Sequence, residues 1–141
     1  MRLAVDSATI CFPETGLGIF PGAGGTVLLP RLVGPAFAKE LIFSAKRVSG
    51  TDAAAIGLVN RSVPGVEELA AAAEEMAAGF AGGGPLGARA AKRVIDSSMD
   101  MATDGALRLS RAERFPLNGT EDFAEGVLAF AEKREPRFRG K

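Results

Sequence analysis

The sequence contains no histidine, no tyrosine and no tryptophan, and its single cysteine is Cys11. Without histidine there is no Ser-His or Cys-His dyad, and the commonest general base is gone. With histidine absent and one thiol left, the usual donor set of a zinc site is missing, so no metal is expected. One cysteine cannot form an internal disulfide and fits a reducing compartment. An excess of one charge is also lacking: 17 Lys and Arg balance 17 Asp and Glu, for a net charge of +0. Proteins that grip phosphate backbones usually carry a basic excess, so nucleic acid is not an expected partner. No apolar run approaches the roughly 18–20 residues of a membrane span, so no membrane is expected either. The opening "MRLAVDSATICF" has no continuous apolar stretch, because Asp6 interrupts it. It is neither a signal peptide nor an Arg- and Ser-rich transit peptide, and secretion is not expected. Acid–base chemistry falls to Asp, Glu, Lys or Arg.

What remains is a chain of 141 residues, 47% hydrophobic and 24% charged, of a size and composition that suit one globular domain. "RLAV" and "TICF" read as short strands split by the turn-prone Asp6-Ser7. "GLGIFPGAGG" reads as a loop. "GTVLLPRLV" reads as a helix limited by Pro30, and "PAFAKELIFSA" as a second with Pro35 at its first position. "TDAAAIG" is a short helix with Thr51 as its expected N-cap, and "LVNRSV" is the other strand. After Pro64 the pattern is helical. Leu69, Ala72, Met76 and Phe80 share a face, as do Leu86, Ala90 and Val94, and later Phe123, Val127 and Phe130. Acids open the last helix and Lys133 and Arg134 are expected in its final turn, and the tail "PRFRGK" is expected to be loose. The opening strands have no evident partners, and a lone hairpin is marginal in water. The expectation is that an N-terminal part of a larger fold is missing or comes from another chain.

The stretch that departs from average is "PETGLGIFPGAGGT", Pro13 to Thr26, with one carboxylate, Glu14, beside a cluster of glycines. It is not a P-loop, since no Lys-Ser or Lys-Thr pair follows its last glycine. A dinucleotide fingerprint from Gly22 fails at Val27, and no G-x-S-x-G nucleophile elbow exists. Read from spacing alone, Glu14 is a solvated loop residue and the glycines turn the chain. Its apolar neighbours Phe12, Leu17, Ile19 and Phe20 are expected to surround it.

"PETGLGIFPGAGGTVLLPRLVGPAFAKELIFSAKRVSGTDAAAIGLVN" closely resembles the enoyl-CoA hydratase/isomerase (crotonase) superfamily. Members read PE-x₃-G-x₂-PG-x-GGT, then LPR-x₂-G, A-x-EL-x₂-(T/S)-(G/A) and a "DA…GLVN" segment. The C-terminal "EDFAEGVLAFAEKREPRFRGK" resembles the family ending E-G-x₃-F-x-EKR-x-P-x-F-x-G. The resemblance runs in order over essentially the whole chain. It implies an α/β crotonase fold, C-terminal part: the end of the β/α spiral core over residues 1–64, then a mostly helical oligomerisation segment over 65–141. It implies hydration of 2-enoyl-CoA thioesters in fatty-acid or branched-chain amino-acid catabolism. "AKELIFSA" leans towards branched or glutaconyl-type substrates.

The resemblance also assigns roles. Glu14, behind Pro13, would be one of two glutamates that hold and activate water. Gly22 would be where the backbone approaches the acyl group. Phe130 and Lys133 match positions that in relatives reach the adenine and 3′-phosphate end of coenzyme A, which is part of the substrate, so no separate cofactor is expected. The plain alternatives are a turn for Gly22, core packing for Phe130, and a charge that complements the helix dipole for Lys133. Arg31, Arg134, Arg137 and Lys141 read as solvated. The family's second glutamate and its oxyanion donors lie in a G-G-G-x-E-L segment about twenty residues upstream of the PE motif and earlier still; "GGGPLG" at Gly82 is not that segment. The chain alone is therefore expected to be inactive. The partners implied are an acyl-CoA thioester and further copies in a trimer or hexamer, or a full-length paralogue. The alternative is a catalytically inactive, truncated member acting as an assembly or regulatory subunit. The implied location is the mitochondrial matrix in a eukaryote or the cytoplasm in a bacterium.

Overall fold

The computed structural model describes residues 1–141, which contacts divide into two units, Met1–Met76 and Ala77–Lys141. In the first, β1 (Leu3–Val5) pairs in parallel with β4 (Arg61–Val63), in the register Leu3 with Arg61 and Val5 with Val63. The hydrogen bonds Asn60 N–H to Arg2 O (2.8 Å) and Asp6 N–H to Val63 O (2.7 Å) extend the pairing at both ends. β2 (Thr9–Ile10) pairs antiparallel with β3 (Val48–Ser49). Both opening strands thus have partners inside the chain, against the expectation from sequence. Those partners lie far downstream, and β3 has two residues, too few to show an alternating pattern.

Two helices join the paired strands. α1 (Gly25–Ser44) is broken at Gly34, where φ 77 and ψ 161 leave helical geometry, and Pro35 starts the second segment as its fixed φ favours. α2 (Gly50–Ala55) begins on Ser49, whose Oγ accepts from Asp52 N–H at 3.0 Å; the cap is Ser49 and not Thr51. Gly50 is required where it stands. A Cβ there would lie 2.0 Å from the Val5 carbonyl oxygen, and its own N–H donates to Asp6 O at 3.0 Å. Around this junction Leu29, Val33, Leu41, Ile42, Val48 and Leu58 form the core, with Leu41 2% exposed. Each such side chain contributes about 1.5–3 kcal/mol when fully removed from water.

α3 (Val66–Ala81) carries the chain into the second unit. That unit holds α4 (Pro85–Ser98) packed on α5 (Thr103–Arg114), a 3₁₀ turn (Phe115–Gly119) and α6 (Glu121–Glu132). Arg93 and Glu113 tie α4 to α5 by an ion pair of 2.9 Å. Thr120 caps α6, its Oγ1 accepting from Phe123 N–H at 3.1 Å. α6 ends at Glu132, so Lys133 and Arg134 fall past its last turn. The tail is not loose: its backbone returns to the start of α6, where Asp122 N–H donates to Lys141 O at 3.0 Å. No helix is long and apolar enough to cross a membrane.

Candidate functional site

Glu14 sits in a 3₁₀ turn, Pro13–Leu17, rather than in an open loop. Proline holds Phe12 extended (φ −123, ψ 83) and opens the turn, and Gly18 ends it in left-handed geometry at φ 79. The turn is fastened by Ile19 N–H to Glu14 O (3.1 Å) and by the Thr15 hydroxyl, which donates to Ile42 O in the core helix at 2.5 Å. The carboxylate is half-buried, and its Oε2 is buried with no hydrogen-bond partner. Buried polar atoms are nearly always paired, because an unpaired one forfeits its hydration for nothing. Nothing in this chain bonds that oxygen, although the turn that carries it is fixed to the core. Three of the four apolar neighbours expected to surround it are turned to solvent. Phe12 packs against the core, while Leu17, Ile19 and Phe20 are 76%, 62% and 65% exposed.

The glycine-rich bend returns the chain into α1. Gly22 is exposed, and nothing but the Phe20 carbonyl, at 4.0 Å, comes near its missing Cβ, so its backbone stands open. Gly25 is the crowded one: a Cβ there would lie 2.7 Å from Pro21 Cβ, and Pro21 is buried. The bend therefore folds by packing Pro21 against Gly25, which leaves Gly22 accessible. Pro13, Glu14 and Gly22 all belong to the first unit.

Phe130 and Lys133 belong to the second unit. Phe130 is 88% exposed, so it is not core. With Phe123, Val127, Leu86, Leu117 and Phe138 it lines an apolar cavity of about 440 Å³. The Arg114 guanidinium, which also lines the cavity, lies over the Phe123 ring, 5.5 Å from its centre. Lys133 ends α6 in left-handed backbone (φ 54, ψ 42), is exposed, and is in no ion pair. Arg134 beside it is fully engaged. Its guanidinium donates to both oxygens of Glu125, at 2.7 and 3.0 Å, and to Glu132 Oε2 at 2.6 Å. The Arg134–Glu125 hydrogen bond, then the Arg137 backbone N–H, hold the Glu125 carboxyl down from an ordinary 4.5 to about 2, and Arg134 is raised in turn. Sequence reasoning read Arg134 as solvated, and it is exposed, but its ties to Glu125 and Glu132 were not foreseen, nor was any role for Asp122 beyond opening the helix. The one available signal was the spacing of Asp122 and Glu125, three residues apart on a helix that also carries Glu121 and Glu132. No group of three or more Cys, Asp or Glu side chains is placed to hold a metal ion.

A family model for enoyl-CoA hydratase/isomerase matches residues 1–141. The chain belongs to the enoyl-CoA hydratase/isomerase family. It is 41% identical over 144 residues to rat mitochondrial methylglutaconyl-CoA hydratase, covering 100% of this chain and 46% of that protein. It is 43% identical over 147 residues to human mitochondrial enoyl-CoA hydratase domain-containing protein 2, covering 100% of this chain and 49% of that protein. The crystal structure of an enoyl-CoA hydratase from Bacillus anthracis superimposes with a TM-score of 0.88 at 40% identity, covering 100% of this chain and 54% of that one. The fold is thus the C-terminal part of the crotonase fold. The chain spans about half the length of the relatives it matches.

Proposed function

We propose that this family member supplies the Glu14 half of a 2-enoyl-CoA hydratase site, with Glu14 as the acid/base. The reading rests on one observation above the rest: the buried, unpartnered Oε2 of Glu14 on a turn bonded to the core. Hydration adds a hydroxyl to the β-carbon of the enoyl thioester and a proton to the α-carbon. No electrons change hands, so no redox cofactor is required. A carboxylate can take the proton from water and return it to the α-carbon, which is general acid–base catalysis worth roughly 10²–10⁴ in rate. Pro13 fixes the turn that carries the acid. The open backbone of Gly22 leaves room for an acyl group beside it. Coenzyme A enters as part of the substrate. Contributed by a neighbouring copy, Phe130 offers an exposed ring for its adenine, and the free Lys133 ammonium a partner for its 3′-phosphate. In this reading the thioester carbonyl is polarised by donors from the segment that the resemblance places ahead of the PE motif. Further copies in a trimer or hexamer cover the exposed apolar side chains.

A second reading draws on those same side chains. Leu17, Ile19 and Phe20 beside the site are exposed, as a surface that packs against a full-length paralogue would be, and such a chain would assemble without catalysing. The test joins this chain to the first half of the Bacillus anthracis enzyme and follows crotonyl-CoA hydration by loss of enoyl-thioester absorbance. The hydratase reading predicts turnover by the joined protein and none by the 141-residue chain alone. A folded, hexameric or trimeric joined protein with no turnover would favour the non-catalytic subunit.

A further inference from the structure

Lys133 and Arg134 are neighbouring cations with different surroundings: the first is free, and the second is bound on several sides. Beyond Arg134 the chain doubles back along α6. Arg137 N–H donates to Glu125 Oε1 at 2.7 Å. Arg139 and Gly140 N–H donate to the two oxygens of Asp122, at 2.6 and 2.8 Å. Asp122 N–H returns a bond to Lys141 O at 3.0 Å. Asp122 and Glu125 stand three residues apart and so share one helical face. Asp122 is 7% exposed, the one charged side chain that is buried. The Phe138 ring lies against Gly84 and Gly126, 3.7 and 3.5 Å from where a Cβ at each would stand. Chain ends are usually poorly ordered unless tied down. This one is tied by carboxylates to backbone amides, which belong to the stronger class of hydrogen bond.

We propose that Asp122 and Glu125 are positioning residues: they pin the returning segment 135–141, and through it and Arg134 they fix the turn that presents Lys133 to the 3′-phosphate of a coenzyme A ester. The proposal rests on the phosphate reading of Lys133 given above. A lysine is a compact charge on a flexible four-carbon stem. Its aim is therefore set by the backbone that carries it. Here that backbone is a left-handed residue at the free end of a helix, and the segment after it is what holds it still.

Amide hydrogen exchange in the 141-residue chain tests the strap, comparing wild type with Asp122→Asn and Gly140→Ala. Asparagine keeps one acceptor oxygen where aspartate has two. Alanine at Gly140 (φ 75) strains the strap from its own side and leaves α6 unaltered. Both variants should exchange faster at Arg139 and at position 140, by about tenfold, as expected for a lost charge-assisted bond, and also at Lys133 and Arg134. Amides of α4 and α5 should not change. Acceleration confined to Arg139 and position 140 would overturn the proposal; if Asp122→Asn unfolds the chain, Gly140→Ala decides. A binding arm compares coenzyme A with dephospho-coenzyme A, which lacks the 3′-phosphate. Glu125→Gln should weaken the first about tenfold, leave the second unchanged, and add nothing in a Lys133→Ala background. Equal losses for both ligands, or additive losses in the double variant, would make the strap merely structural. If Lys133→Ala binds coenzyme A as wild type does, the phosphate reading fails, and the exchange result still decides the strap.

Discussion

In Met1–Met76 the residues withdrawn from water are mostly apolar: Leu29, Val33, Leu41, Ile42, Val48 and Leu58 meet where two strand pairs and two helices converge. In Ala77–Lys141 the buried residues are two alanines, Ala90 and Ala129, and one aspartate, Asp122. Of the large apolar side chains of that second unit, Phe115, Val127 and Phe130 are exposed, and Leu86, Val94, Leu117 and Phe138 are only half-buried. Caps, ion pairs and carboxylate-to-amide bonds add to that thinner apolar packing. The difference teaches what each region is for in the proposed function. A carboxylate that must hold one position against a reacting carbon sits on a turn bonded to a dry core. A lysine that only has to meet a phosphate sits on a turn held by polar ties, from the buried Asp122 and from Glu125.

If this contrast is sound, cutting the first unit's core costs most. Leu41→Ala should destabilise the chain by about 2–5 kcal/mol in denaturant unfolding, the usual range for a buried leucine truncated in a packed site. A loss under about 1 kcal/mol would show that the first unit is not core-held. Gly50→Ala should come next, at about 1–3 kcal/mol, because the added methyl meets the Val5 carbonyl and backbone must move. Lys133→Ala should leave stability alone and weaken coenzyme A esters roughly ten- to hundred-fold, with pantetheine thioesters unaffected. The pH dependence separates the units further. The Glu125 carboxyl is held near 2, below its ordinary 4.5, so its contribution is complete above about 4.5 and is lost as pH falls towards 2. Carboxyl chemical shifts should put its midpoint near 2. A midpoint at an ordinary carboxylate value would mean that Arg134 does not hold it. Smallest of all, Phe130→Ala should change stability by no more than about 0.5 kcal/mol, since its ring is already in water.

The helices were legible because their apolar residues recur at helical spacing and proline and glycine punctuate them. The PE and PGAGGT segment was legible as a pattern, but the 3₁₀ turn that carries Glu14 was not, since the glycines around it read as an open loop. The pairing of β1 with β4 was not, because register between strands 58 residues apart depends on α1 and α2 folding between them. The cap of α2 was misplaced by two residues, since Ser49 and Thr51 are both competent caps and the close approach of Gly50 to β1 chooses between them. The strap left no pattern at all. Its donors are backbone amides, which every residue carries, and only the three-dimensional return of the chain brings them to Asp122 and Glu125.

The central claim is that the orphaned carboxylate of Glu14 moves the proton. Glu14→Gln in the protein joined to the first half of the Bacillus anthracis enzyme keeps the side chain's size and removes its basicity. The account predicts that kcat for crotonyl-CoA hydration falls by at least about 10² while KM moves little. A kcat within a few-fold of the unsubstituted protein would contradict it and return Glu14 to the role of a turn residue.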